Sequence, residues 1–318
     1  MNIEKQPFTS SDRMRDLIEA DSILLMVMTR FGISLGFGDK TVATVCREQD
    51  VDVRTFLTVA NFMSGRDADY RNVSLSPLIS YLRRAHVYFL DFKLQSIRRS
   101  LLEAIDCSGT DEAAFLILRF YDEYVTEVRR HMEYENEVVF GYVDNLLEGR
   151  MSPDFEIGVF ARKHNHIDSK LKELKDIIVC YYPQKGNDQL CSVLFDIISC
   201  EQDLNSHCSV EDEIFVPAVA MLEQSVRLRG GSMHDAQDSS MDQSSSSNIL
   251  SQREKDIVVC IAKGMSSKEI ADCLNISVNT VTTHRRNISS KLQIHTPSGL
   301  AIYAIINSLV TLDELRTE

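Results

Sequence analysis

The sequence predicts an all-α protein, and three observations support this fold class. The 318 residues include only 13 Gly and 6 Pro, which disfavours turn-rich all-β and collagen-like architectures. Between residues 75 and 222, apolar side chains recur every three or four positions, as they do in amphipathic helices. Residues 249–318 contain two S-x-x-E patterns, each of which marks the start of a helix. A chain of this length is expected to hold about two or three domains.

Four segments are expected along the chain. Residues 1–70 are predicted to form a small helical domain, and a composition break at 65–77 separates it from a longer helical domain at 75–228. Residues 229–248 are rich in Ser and hold almost no apolar side chains, which predicts a flexible linker. Residues 249–318 are predicted to form a compact C-terminal domain.

The formal net charge of −13 argues, taken alone, against a simple nucleic-acid binder, because such proteins usually carry a basic surface. The charge is unevenly distributed, however. Residues 1–248 hold 26 Lys and Arg against 40 Asp and Glu, whereas residues 249–318 hold 8 against 7. The acidity therefore belongs to the longer N-terminal part and does not exclude a nucleic-acid-binding C-terminal domain.

The sequence predicts a soluble, cytoplasmic protein. The N-terminus lacks the basic and apolar regions of a signal peptide, and no apolar run approaches the roughly 20 residues of a membrane span. The eight cysteines are scattered without a C-x-x-C pair, so we expect reduced core thiols rather than a disulfide framework or a zinc site.

The domain at 75–228 is predicted to be a four-helix bundle. Turn signals interrupt its helical pattern at 107–110, 148–153 and 183–187. Four long helices with short connections lie antiparallel to their neighbours, which is the arrangement of a bundle. The inward stripe of the second helix is expected to continue through Val138 and Tyr142.

Six polar side chains fall on the inward stripes of these helices, where unpaired polar groups are costly to bury. They are His86, His131, Glu135, His164, His207 and Glu211. Residues equidistant from a turn lie level in an antiparallel hairpin of helices. The midpoints between successive histidines fall at or beside Gly109, Gly149 and Gly186, so we expect the six side chains to form one layer.

The composition of this layer suits two divalent metal ions. Two His-x-x-x-Glu pairs place each histidine and glutamate on one helical face, and the carboxylates could bridge two ions. Mixed nitrogen and oxygen ligation favours non-haem iron, with manganese or zinc as alternatives, and the spacing differs from the Glu-x-x-His motif of ferritin-like proteins. A hydrogen-bonded polar layer without metal is the other interpretation.

Two further acids precede a predicted ligand by four residues. Glu127 stands before His131 and Asp203 before His207. Each either orients an imidazole by accepting its second N–H or lies on a solvated face.

The motifs Arg84-Ala-His86, His131-Met-Glu-Tyr-Glu135, Lys163-His164-Asn and His207-Cys-Ser-Val-Glu211 resemble the hemerythrin-like fold, and more closely its repair-of-iron-centres (RIC) subgroup. The resemblance covers about residues 75–225. It implies a carboxylate-bridged di-iron centre that meets oxygen, nitric oxide or peroxide. The implied ligands are the six residues of the predicted layer.

The N-terminal segment carries a more moderate resemblance. Residues 12–65 are similar to the small helical domain that precedes the bundle in RIC proteins, mainly through Arg30-Phe-Gly-Ile-Ser-Leu-Gly-Phe-Gly-Asp-Lys-Thr41. A Cys-Cys pair of that family is replaced here by Gly36 and Phe37. A packing or signal-relay role is therefore expected in place of thiol chemistry.

The C-terminal domain is predicted to contain a helix-turn-helix. Ser251–Glu254 and Ser266–Glu269 are capping boxes, and Val278–Leu292 forms a polar and basic third helix with an apolar core face. A short helix, a tight turn and a polar helix together form the helix-turn-helix motif. Its second helix enters the major groove of DNA.

Residues 249–310 closely resemble the LuxR/GerE-type DNA-binding domain, through Leu250-Ser-Gln-Arg-Glu254, Ala262-Lys-Gly264 and Ser277-Val-Asn-Thr-Val281 among other matches. The resemblance implies that Thr282, Thr283 and Arg286 read bases. It also implies a homodimer on double-stranded DNA, supported by the fourth helix at 298–309. The residues implied to hold phosphates are Lys268, Asn279, His284, Arg285 and Lys291.

The two signatures together predict a non-enzymatic transcription regulator, in which a di-iron centre senses oxygen, nitric oxide or redox state and alters promoter binding. A di-iron protein that repairs iron–sulfur centres or reduces nitric oxide, with an accessory DNA-binding domain, is the alternative. The missing Cys-Cys pair disfavours that alternative. A regulator with a metal-free, vestigial bundle is a third interpretation.

Overall fold

The all-α prediction is confirmed by the computed structural model. Within the residues that the structure describes, every regular element is a helix, apart from a single bridge between Arg13 and Thr41. The described ranges are 5–70, 73–105, 112–152, 155–163, 167–182, 188–230, 250–274, 276–292, 294–307 and 309–310.

The N-terminal segment contains four short helices. The third and fourth have side-chain caps, Thr41 and Asp52, and Asp52 Oδ1 accepts from Thr55 N at 2.8 Å. Gly32 ends the second helix with a φ of 75°, a left-handed conformation that favours glycine. The helices are α1 (Met14–Ala20), α2 (Leu24–Phe31), α3 (Val42–Glu48) and α4 (Val53–Met63).

The long helical domain follows in four segments, as its turn signals predict. Three of the segments contain a π-helical turn, at Tyr88–Lys93, Glu135–Val139 and Glu211–Phe215. The predicted turns at 107–110 and 183–187 lie outside the described residues, whereas Gly149, with a φ of 78°, follows the second segment. The α-helices are α5 (Leu75–Val87), α6 (Leu94–Ala104), α7 (Glu112–Tyr134), α8 (Phe140–Leu147), α9 (Ile157–Lys163), α10 (Ile167–Tyr181), α11 (Asp188–Val210) and α12 (Val216–Gly230).

The chain forms two compact units. The first holds the described residues of 1–92, 129–165 and 202–235. In this unit, helices α1 to α4 share one hydrophobic core with α5, α8 and α12, so the N-terminal segment has no separate core.

The second unit holds the described residues of 93–128, 166–201 and 236–318. Its C-terminal part contains α13 (Gln252–Ala262), α14 (Ser267–Leu274), α15 (Val278–Leu292) and α16 (Pro297–Ile306). The linker predicted at 229–248 lies outside the described residues except for its first two positions, which end α12.

Both predicted capping boxes are present at the starts of C-terminal helices. Glu254 Oε2 accepts from Ser251 N at 2.7 Å, and Glu269 Oε2 accepts from Ser266 N at 2.7 Å. On α15, Val281, Ile288 and Leu292 are buried against α13 and α14, as their spacing predicts. The helix-turn-helix therefore has a packed apolar side and leaves its polar side for other contacts.

One prediction about the inward stripe is wrong. Val138 is 41% exposed, whereas its neighbour Val139 is fully buried. A π turn contains one residue more than an α turn, so the turn Glu135–Val139 advances the buried face by one position. Uniform α-helical spacing therefore selects the wrong valine.

The thiol prediction is only partly right. Cys46, Cys200 and Cys260 are buried and not in disulfides, but Cys180, Cys191 and Cys273 are exposed. In the described part of the chain, no helix has both the length and the apolar character needed to cross a membrane.

The two adjacent valines test the phase shift of the π turn. Val139→Ala should lower the free energy of unfolding by about 2 kcal/mol because it leaves a void in a packed core. Val138→Ala, at an exposed position, should change it by less than about 0.5 kcal/mol. Chemical denaturation of both variants measures the difference, and equal costs would contradict the shifted phase.

Candidate metal centre and nucleic-acid interface

Four of the six predicted ligands come together in the first unit. His86, Glu135, His207 and Glu211 are buried, and one potential ligand atom from each lies within 4.8 Å of the others. The Nε2 atoms of His86 and His207 are 3.1 Å apart. His207 and Glu211 come from one His-x-x-x-Glu pair, whereas His86 and Glu135 come from two other segments.

The π-helical turns coincide with this cluster. Glu135 and Glu211 are each the first residue of a π turn. The remaining π turn, Tyr88–Lys93, begins two residues after His86. Because the preceding segments are α-helical, His207 Nε2 reaches Glu211 Oε1 at 3.2 Å. Irregular turns of this type occur often at functional sites, where they re-aim the side chains that follow.

Each carboxylate faces more than one imidazole. Glu135 Oε1 lies 2.7 Å from His131 Nε2, whereas its Oε2 lies 3.4 Å from His86 Nε2. Glu211 Oε1 lies 3.8 Å from His86 Nε2 and 3.2 Å from His207 Nε2. The glutamates therefore stand between imidazoles on different helices.

The remaining two predicted ligands differ from these four. His131 contacts Glu135 but is 24% exposed, so it lies at the edge of the buried cluster. His164 lies outside the described residues.

Asn136, which the sequence did not indicate, positions His86. Its Oδ1 atom lies 3.1 Å from His86 Nδ1. An amide oxygen only accepts hydrogen bonds, so this contact suits the tautomer with the proton on Nδ1, in which Nε2 would be the nitrogen available to a metal ion. Phe140 stacks on the His86 ring, and Phe89 contacts the His207 ring edge-on, which places apolar walls around the imidazoles.

The donor set is suited to metal ions. Two carboxylates and the imidazole nitrogens beside them concentrate negative charge and lone pairs in a buried space, where such charge is costly without compensation. Divalent cations would offset that charge. Nitrogen and oxygen donors in this ratio suit non-haem iron and also accept manganese or zinc.

A buried ion pair next to the cluster was also not predicted. Arg30 of α2 is 1% exposed and donates through Nη2 to both oxygens of Asp203, at 2.8 and 2.7 Å. Asp203 thus neither orients His207 nor faces solvent, while Glu127 pairs with Lys170. Arg30 follows buried Val27 by three residues, and this helical spacing was the one sequence feature that indicated burial of Arg30.

Aromatic rings surround the Arg30 guanidinium. Its Cζ lies 5.1 Å from the ring centre of Phe89 and 6.0 Å from that of Tyr81. Burial raises the pKa of Tyr81, despite the nearby Arg30 cation, so the phenol stays neutral. Phe89 contacts both Arg30 and His207, which connects the N-terminal segment with the cluster.

The polar face of α15 is open to solvent at the positions predicted to read bases. Thr282, Thr283 and Arg286 are exposed, and so are Asn279 and Lys268. The hydroxyls of Thr282 and Thr283 donate to backbone carbonyls one turn earlier, both at 3.0 Å. His284 and Arg285 are half-buried.

Lys291 is engaged inside its own domain. Its Nζ donates to Glu254 Oε1 and Oε2 at 3.0 and 2.8 Å, and the Glu254 side chain is 4% exposed. Burial alone would raise the pKa of Glu254, but the bonds from Lys291 and Ser251 hold it below its usual value. This pair joins α13 to α15.

Two protein families match separate parts of the chain. The family described as "Hemerythrin HHE cation binding domain" matches residues 78–219, and "Bacterial regulatory proteins, luxR family" matches residues 248–304. The first match contains all six predicted ligands, and the second contains the capping boxes and α15.

Curated relatives match over a short stretch. The transcriptional regulatory protein MctR of Rhizobium johnstonii is 45% identical over 65 residues, and the response regulator protein VraR of Staphylococcus aureus is 42% identical over 62 residues. Each match covers 20% of this chain and 30% of the relative, so the chain spans under a third of the length of these relatives. No solved structure matches the chain. Residues 78–219 are therefore similar to the hemerythrin HHE cation-binding family, and residues 248–304 are similar to the luxR family of bacterial regulatory proteins.

Proposed function

We propose that this protein is a cytoplasmic transcription regulator that binds promoter DNA as a homodimer and senses oxygen, nitric oxide or redox state at a non-haem di-iron centre. The buried convergence of His86, Glu135, His207 and Glu211, in a chain that ends in a luxR-family domain, carries this proposal. The named relatives MctR and VraR are regulators by description, which supports the DNA-binding part.

The proposed ligands are the four clustered residues together with His131 and His164. The two oxygens of Glu135 face different imidazoles, so this carboxylate would be able to hold metal beside both His86 and His131. Asn136 fixes the ring of His86, and Phe89 and Phe140 limit water around the imidazoles. A bound di-iron pair would supply redox chemistry and open positions for a small ligand.

The side chains proposed to contact bases are among those that α15 exposes to solvent. Thr282, Thr283 and Arg286 occupy the open face of α15 that would enter the major groove. Lys268, Asn279, His284 and Arg285 lie on or beside this face, where they would contact phosphates. Lys291, predicted to hold a phosphate, would have to exchange part of its pairing with Glu254 for that contact.

The ligand set is tested by paired variants on the same helices. Glu135→Gln and Glu211→Gln should each lower the iron content of anaerobically purified protein at least about tenfold, because a neutral amide is a poor ligand and bridge. Glu133→Gln and Glu213→Gln change exposed neighbours in the same way and should retain iron. Elemental analysis and the absorption spectrum measure the outcome, and full iron in all four variants would refute the site.

The DNA interface is tested by comparing three cations. Arg286→Ala should weaken binding to a site selected from random DNA by about 1–3 kcal/mol and relax its sequence preference. Lys268→Ala should weaken all sequences alike and reduce the salt slope by about 1. Lys291→Ala should instead destabilise the domain, because it leaves buried Glu254 without its cation. Fluorescence anisotropy over a salt series, with thermal denaturation, distinguishes these effects.

The sensing claim requires that the ligand state of the metal changes DNA affinity. Iron-loaded protein should bind its selected site at least about fivefold differently under nitrogen, air and nitric oxide, the lower end of typical allosteric couplings. Glu211→Gln should show no such difference. Equal affinities under all three gases would argue against sensing, and catalytic consumption of nitric oxide would favour the enzymatic alternative.

A further inference from the structure

Helix α16 has more apolar surface than its own domain covers. Its sequence, Pro-Ser-Gly-Leu-Ala-Ile-Tyr-Ala-Ile-Ile, is apolar nearly all the way round, and such a helix needs cover on more than one side. Within the second unit, α13 covers one side of α16, and α10 of the hemerythrin domain contacts another.

A buried carboxylate forms the centre of the contact between α10 and α16. Glu173 of α10 is 3% exposed, and its Oε1 accepts from Thr296 N at 3.3 Å and from Thr296 Oγ1 at 2.7 Å. Thr296 is the N-cap of α16, where a negative charge is favoured by the helix dipole. The donors of both bonds belong to the C-terminal domain, so Glu173 would have to regain water if that domain moved away.

The two helices approach closely at one glycine. A Cβ atom on Gly299 would lie 2.0 Å from Glu173 Oε1 and 2.9 Å from Ile294 Cγ2, so a side chain at this position would force the Glu173 carboxylate to move. Tyr181 of α10 meets Tyr303 of α16 with perpendicular rings 4.9 Å apart. Ser298 Oγ also lies 3.1 Å from Glu123 Oε2 on α7.

The docked arrangement leaves the polar face of α15 exposed. Thr282, Thr283 and Arg286 remain open to solvent, so the contact covers α16 and not the residues proposed to read bases. In the docked arrangement, α10 covers the apolar side of α16 that α13 does not cover. After release, that side would need a new cover, and a second copy of the same helix, which is equally apolar, would provide one.

We infer that the face of α10 that carries Glu173 and Tyr181 is a docking surface for the C-terminal domain, and that docking competes with pairing of two C-terminal domains. The inference rests on the proposed function, because it assumes that two paired C-terminal domains bind DNA more tightly than one. Burial raises the pKa of Glu173, against the effect of its bonds to Thr296, which is consistent with an enclosed contact.

The test compares full-length Glu173→Lys with Glu103→Lys. The first variant places an ammonium group beside the Thr296 N–H and hydroxyl that donate to the native carboxylate, whereas the second makes the same charge reversal at an exposed position of α6. Hydrogen exchange of the α16 amides, sedimentation velocity and anisotropy with selected DNA are measured without metal. Glu173→Gln, which keeps an acceptor oxygen, should show a smaller effect.

We expect Glu173→Lys to accelerate α16 exchange, to strengthen self-association and to raise DNA affinity, each by about tenfold relative to Glu103→Lys. Gly299→Ala, which perturbs the contact from the other side, should act in the same direction and should not add fully to Glu173→Lys.

Unchanged α16 exchange in both Glu173→Lys and Gly299→Ala would refute the docking surface. Faster exchange with unchanged self-association would refute the competition. Exchange and sedimentation need neither DNA nor iron. A failure of the proposed function, seen as no DNA binding by any variant, is therefore distinguishable from a failure of docking.

Discussion

The concentration of carboxylates and imidazoles inside the first unit is the constraint to which much of the structure responds. Buried charge of one sign is unfavourable unless something compensates it. Glu135 and Glu211 stand between imidazoles of different helices, and Phe89 and Phe140 limit the water that would otherwise stabilise them. Two of the π turns begin at these glutamates, so the irregular backbone and the buried carboxylates lie together.

The sequence predicted features that depend on regular spacing. The helical class, both capping boxes and the core face of α15 follow from local patterns, and the structure confirms them. Four of the predicted ligands also converge, because equal distances from the turns place them at one level. Val138 and Val139 show the limit of such reasoning, since a π turn changes the phase and has no marker in the spacing of apolar residues.

The sequence did not indicate contacts between distant parts of the chain. Asn136, Arg30 and Glu173 are ordinary polar residues in sequence, and each acquires its role from a partner at least 50 positions away. Lys291 shows the reverse case, because a cation expected to face DNA is held by Glu254 from a neighbouring helix. Pairings of this kind depend on tertiary packing, which residue periodicity does not encode.

The ion pair between Arg30 and Asp203 has a consequence for the evolution of the chain. Asp203 lies one helical turn before His207, and its cation comes from the N-terminal segment. Loss or exchange of that segment would leave an uncompensated carboxylate beside a predicted ligand, in addition to an open apolar core. The N-terminal helices and the hemerythrin-like segment are thus expected to be inherited together.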